Sequence, residues 1–214
     1  MAFAAPEEPH SDASSLLQTR LGGFLDQLAA GTPAPAGGAA AAVTVAQAAG
    51  LVAKAVRVSG ARVSGAEELL KLTEQLRQDA GRLAEDDVRA YRVVVTALRR
   101  RRQRGQADGD QPADADQHVQ KALRRAAEVP AQIAQTAAEV ARCAARLARE
   151  GKPSIRGDAV VAVLLADAAA RAAVHLVEVN LEGIGGEDDL LRRAAECAEA
   201  TAAAVVAAGQ QRPG

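Results

Sequence analysis

The chain has no tryptophan, one tyrosine (Tyr91), two phenylalanines (Phe3 and Phe24) and one methionine. With so few rings, its core has to be filled by alanine, valine and leucine. The apolar fraction is nevertheless ordinary at 49%. The core is therefore not small; it is built from small parts. Small side chains let helices approach closely, and alanine is the best helix former. The β-branched alternation that marks strands is nearly absent. These features predict a tightly packed all-α protein, and 214 residues are enough for one domain with a real core.

Other shortages narrow the function. The net charge is only −1, with both signs spread along the chain, so no basic excess points to nucleic acid. The two cysteines, Cys143 and Cys197, lie in helical patterns without metal-type spacing. They read as free, half-buried thiols in a cytosolic setting, with a disulfide left open. The start, "MAFAAPEEPHSDASS", has no basic opening and carries acids where a signal peptide has an apolar stretch. The uncharged run 33–53 is long enough to span a bilayer. It holds two prolines, Thr44, Gln47 and mostly alanine, too weakly hydrophobic for a membrane helix. The expectation is a soluble, cytoplasmic protein with no membrane or nucleic-acid partner.

Periodicity predicts a helical bundle of about six helices. Residues 1–11 and 209–214 read as disordered tails around a single domain, 12–208. Asp12 or Ser14 is a candidate cap for a first helix carrying Leu17, Leu21, Phe24, Leu25 and Leu28, which Gly31 and Pro33 end. The second helix, 37–59, and the fifth, 158–181, are apolar nearly all round and read as the two buried central helices. A third helix is expected over 66–104, with Gly81 as a weak point. A fourth is expected over 113–150, kinked or split by Pro130. A sixth covers 190–208. Between the third and fourth, five arginines in 99–104 meet acids in a stretch with Gly105, Gly109 and Pro112. The arginines suit an anion or RNA, or simply a solvated helix end.

Candidate chemistry begins at "TPAPAGGAAAAV", residues 32–43. Gly37 and Gly38 open the second helix without side chains to block approach to its free N–H groups. Asp158 opens the fifth, either as its own cap or as a functional carboxylate. His175 could act as a base or sit as a core or interface histidine. Tyr91 could stack on a ring or pack in the core. Asn180 could cap carbonyls.

"FLDQLAAGTPAPAGGAAAAV" resembles the opening of the cyclodeaminase domain of formiminotransferase-cyclodeaminase and of the related bacterial methenyltetrahydrofolate cyclohydrolases. The resemblance runs from about residue 16 to 205. It continues through "DVRAY" (Asp87, Ala90, Tyr91), "EVP" (128–130), the stretch from Gly151 to Asp158, and Val179-Asn180-Leu181. It implies an all-helical subunit that forms a homodimer and takes a tetrahydrofolate derivative as substrate, with no metal and no separate cofactor. It implies Asp158 and Asp87 as catalytic residues. It implies Pro35, Gly37, Gly38, Tyr91, Lys152 and Asn180 as substrate-binding residues. The chain departs from the family pattern at several points. Ala36-Gly37-Gly38-Ala39 replaces three glycines and a serine. Gly60-Ala61-Arg62-Val63-Ser64 keeps one basic residue where the family has several and an aromatic. Lys152 and Gly157 stand for an asparagine and a serine. These departures support an alternative: a non-catalytic helical homodimer that kept the fold as a scaffold or partner subunit.

Overall fold

The computed structural model describes residues 15–108, 113–182, 184 and 189–209. Among these, six α-helices account for nearly all of the chain. They are α1 (Leu21–Ala29), α2 (Gly37–Ser59), α3 (Ala66–Asp108), α4 (Ala113–Glu150), α5 (Arg156–Leu181) and α6 (Asp189–Gly209). No strand occurs among the described residues. The expected all-α helical bundle is what forms. The tails and the candidate caps Asp12 and Ser14 lie outside the described residues, apart from Gly209, which closes α6.

The first helix differs from expectation. A 3₁₀ turn, Leu16–Gln18, precedes α1, which begins after Arg20 without a side-chain cap. The separated turn lets Leu17 lie on α3 at Gly81, where an added Cβ would come within 3.0 Å of the leucine side chain. Gly81 is thus a docking notch, and α3 runs through it unbroken. Both α3 and α4 also exceed their expected limits or breaks. α3 continues through Gly105 to Asp108, and α4 passes through Pro130 as one helix. Residues 109–112, with Gly109 and Pro112, lie outside the described set.

The core is largely alanine. Ala42, Ala48, Ala49, Ala134, Ala137, Ala141, Ala166, Ala170 and Ala173 are all fully buried, and the largest fully buried side chains are Ile133 and Leu147. α4 packs on α2, α3, α5 and α6, and so forms the hub. α2 and α5 pack against each other antiparallel. Gly37, at the start of α2, faces Leu176 near the end of α5, and Lys54, near the end of α2, reaches Asp158 at the start of α5.

Both segments are long and apolar enough to cross a bilayer by length and composition, but neither is fully covered within the subunit. The apolar window of α2 is 56% buried and that of α5 only 44%, so α5 keeps an open apolar face.

Candidate functional site

The N-terminus of α2 is built by a residue far away in sequence. Ala36, at the N-cap, has no side chain to cap the helix. Asp87 of α3 takes over. Its carboxylate accepts the N–H of Ala39 and lies directly against Gly38. A Cβ added at Gly38 would sit 1.9 Å from Asp87 Oδ1 and 2.4 Å from its Cγ. Only glycine fits there. The N–H groups of Gly37 and Gly38, in the first turn, have no intrahelical partners and point out of the positive end of the helix. Burial raises the Asp87 carboxyl above the usual carboxylate range, and the Ala39 N–H partly opposes that rise.

Tyr91 follows Asp87 by one turn of α3, on the same face by spacing. It is 40% exposed, so the core-packing alternative for it does not hold. Pro35 is buried beneath the loop and Gly37 is exposed. The open part of the loop is therefore Gly37, while Pro35 and Gly38 are both buried.

Asn180 completes this end in an unexpected way. Pro130 has no N–H, so the helix bond that would reach the carbonyl of Ala126 is missing. The Asn180 side-chain amide donates to that carbonyl, at 3.4 Å. Asn180 therefore ties α5 to α4 at the proline and does not cap its own helix.

Asp158 and Lys152 sit at the opposite end of α2. Asp158 lies in the first turn of α5, whose N-cap is Ile155 with no side-chain bond. It does not cap its helix. Its carboxylate instead accepts from Lys54 Nζ at 2.6 Å, with side-chain exposures of 34% and 59%. Lys152 is exposed, and its backbone N–H donates to Ser59 Oγ at 3.1 Å. A Cβ on Gly151 would come within 2.6 Å of the Leu147 carbonyl oxygen, so the turn closes on glycine. From Gly38 to Lys54 is sixteen residues, or ~24 Å of helix. The chain thus carries two separate groups of candidate residues at opposite ends of α2, and its two candidate carboxylates do not meet. Neither Lys54 nor Ser59 was legible as part of a site, since both are ordinary helix residues until α5 is folded against α2.

The remaining candidates fall away from these ends. His175 has 73% side-chain exposure and faces Glu178, so it is not a core histidine. Cys143 and Cys197 are both free. Burial pushes both thiols up, the opposite of the lowering that marks a reactive cysteine. A groove of about 400 Å³ between α3 and α4 is lined by Asp79, Arg82, Leu83, Asp86, Gln132, Gln135 and Thr136, so Leu83 is the one apolar side chain it offers a ring system.

A family model described as formiminotransferase-cyclodeaminase matches residues 20–204. The chain is also 33% identical over 167 residues to a methenyltetrahydrofolate cyclohydrolase from Methylorubrum extorquens, a match covering 75% of this chain and 78% of that protein. The chain belongs to the formiminotransferase-cyclodeaminase family. Its fold matches that of a formiminotetrahydrofolate cyclodeaminase from Thermotoga maritima with a TM-score of 0.78, at 22% identity, over 90% of this chain and 95% of the other.

Within this family fold, the departures from the glycine motif acquire a physical reading. Ala36 and Ala39 flank the two glycines without disturbing the close Gly38–Asp87 approach.

Proposed function

We propose that the protein is a folate-dependent one-carbon enzyme that hydrolyses methenyltetrahydrofolate, with deamination of formiminotetrahydrofolate as the sister reaction of the same site. The observation that carries this reading is the half-buried Asp87 carboxyl, raised by burial, seated against the open helix end at Gly37 and Gly38. Family membership and the 33% identical cyclohydrolase favour it over a scaffold that has lost its site.

In this reading the substrate carries a cationic carbon between two nitrogens. Water adds to that carbon, and Asp87 takes a proton from the water as the new C–O bond forms. The carbon–nitrogen bond of the resulting tetrahedral centre then breaks. One proton goes to the leaving nitrogen and one to solvent, leaving a formyl group. A carboxylate beside the cation also stabilises it electrostatically. The free N–H groups of Gly37 and Gly38 suit a pterin oxygen or a substrate carboxylate. Tyr91 offers a ring face for the pterin. Lys152 is a cation for the glutamate moiety, and Asp158 is a second carboxylate. The reaction is written without a metal or a separate cofactor. We place the enzyme in the cytoplasm, soluble and as a homodimer.

The test is spectrophotometric. Loss of methenyltetrahydrofolate absorbance should exceed the uncatalysed rate and fall by about 10²–10⁴-fold in Asp87→Asn, the usual scale for losing a general base. No acceleration, together with no ammonia release from formiminotetrahydrofolate, would leave the scaffold reading standing instead.

A further inference from the structure

Beyond the Gly38–Asp87 contact and the Asn180–Ala126 tie, the ends of α3 and α4 leave the body of the bundle as a two-helix arm. The arm has a small hydrophobic cluster of its own, separate from the main core: Val94, Ala122 and Ala126, with Ala90, Ala97 and Leu123 against them. From Val94 to Asp108, the end of α3, is ~21 Å of helix.

Charge is sorted onto this arm. Residues 92–125 hold nine lysines and arginines and four acids, a net charge of +5 in a chain whose total is −1, so the rest of the protein carries −6. The acids at 108, 110, 114 and 116 are too few to neutralise the arm, whatever they contact. On the body of the bundle, arginines are matched within their own helix: Arg77 by Glu74, Arg82 by Asp79, Arg89 by Asp86 and Arg142 by Glu139. On α3 that pattern stops at Arg89. Arg92, Arg99, Arg100 and Arg102 are exposed, and none has an acid three or four residues away. Arg101 is paired across the arm, with Asp116 of α4 at 3.5 Å. Arg99 and Arg102, three apart, and Lys121 and Arg125, four apart, set like charges side by side on a helix, an arrangement that costs stability.

Apolar side chains stand in the open among these cations. Leu98 is 39% exposed, and Val95 is half-buried. By helical spacing, Val95, Leu98 and Arg102 share one flank of α3, bordered by Arg92 and Arg99. Val93, 57% exposed, falls on the other flank with Arg100.

We propose that the Val95–Leu98 flank of the arm is a docking surface for an acidic amphipathic helix of a partner protein. Such a helix lays its apolar stripe on Val95 and Leu98 and its carboxylates on Arg92, Arg99 and Arg102, a helix-in-groove mode of recognition. It supplies two things the arm lacks. One is a third layer over a thin two-helix cluster. The other is counter-charge for guanidinium groups, whose fork geometry matches carboxylates. A nucleic-acid backbone would supply the charge but leave Val95 and Leu98 in water. Residues 92–125 also contain no phenylalanine, tyrosine or tryptophan on which bases could stack. The docking does not rest on the folate reading above.

The test is fluorescence anisotropy with the full chain and three labelled probes. The first is a peptide of two Leu-Glu-Glu-Leu-Leu-Glu-Glu heptads. The second has serine for every leucine, and the third is an oligouridine RNA. The leucine peptide is expected to bind at least about tenfold more tightly than either control, because it alone meets both the cations and the apolar flank. Its binding should weaken with salt and fall about tenfold or more when Arg92→Glu, Arg99→Glu and Arg102→Glu are combined. Should circular dichroism show that this chain does not fold, glutamine at the same three positions carries the test, with a loss in the same direction. Leu98→Ser should weaken the leucine peptide and leave the serine peptide unchanged, whereas Val93→Ser should change neither. No binding of the leucine peptide at low salt would overturn the proposal. So would equal binding of all three probes or tighter binding of the RNA, either of which marks a general polyanion surface. Equal losses in Leu98→Ser and Val93→Ser, or full binding by the folded charge variant, would overturn the docking on this flank.

Discussion

At the scale of single residues, the Gly38–Asp87 contact makes the sharpest claims. A methyl group at Gly38 would overlap the carboxylate, so Gly38→Ala must displace Asp87 and break its bond to the Ala39 N–H. Loss of a helix cap costs about 0.5–2 kcal/mol, and the displaced carboxyl adds to it. The penalty should shrink when Asp87→Ala removes the obstacle, because contacting residues are not additive. Urea unfolding of the two single variants and the double variant measures this coupling; additive costs would show that the contact is not felt. Asp87 also sets a pH dependence. Its folded pKa is raised, so the native state holds a proton more tightly than the unfolded chain does. The stability this gives is fully present below the unfolded value of about 3.9 and is lost as pH rises through the folded value. The difference in unfolding free energy between wild type and Asp87→Asn should therefore fall across that window. A flat difference would mean that the carboxyl is not desolvated.

At the scale of elements, the sequence located the helices well and their interruptions poorly. Periodicity placed α2, α4, α5 and α6 within a few residues, because each has an uninterrupted apolar pattern. Pro130 and Gly81 looked like breaks because both are poor helix residues in isolation. Each is rescued by a distant partner that local reasoning cannot supply: Asn180 at the carbonyl that Pro130 leaves unbonded, and Leu17 in the notch at Gly81. The same blindness hid the cap of α2, which comes from α3. The Asn180 bridge is testable as a pair. Asn180→Ala leaves a carbonyl without its partner, a cost of about 1 kcal/mol. Pro130→Ala restores the helix donor, and in that background Asn180→Ala should cost almost nothing. An equal loss in both backgrounds, read from denaturant midpoints, would show that Asn180 acts elsewhere.

For the whole molecule, composition was the most informative signal, and it also marks what the sequence conceals. Apolarity all round α2 and α5 is read in the same way whether a face is covered by its own subunit or by another copy. That ambiguity is why the open face of α5 and the separation of Asp87 from Asp158 emerge only from the folded chain. The scarcity of large side chains, by contrast, translates directly into mechanics. Helices spaced by alanine have no slack at their contacts, and close-packed interiors resist added volume. Ala137, fully buried on the hub helix α4, is the place to measure this. Ala137→Leu inserts three carbons between helices that already touch, a change that costs about 1–3 kcal/mol in ordinary cores. Here the cost should lie at or above the top of that range, since few large neighbours are present to change rotamer and make room. Ala138, on the same helix and only partly buried, is the matched control and should tolerate leucine. A midpoint for Ala137→Leu close to that of Ala138→Leu would mean that the bundle can spread, and that its alanines are there for helix propensity rather than for spacing.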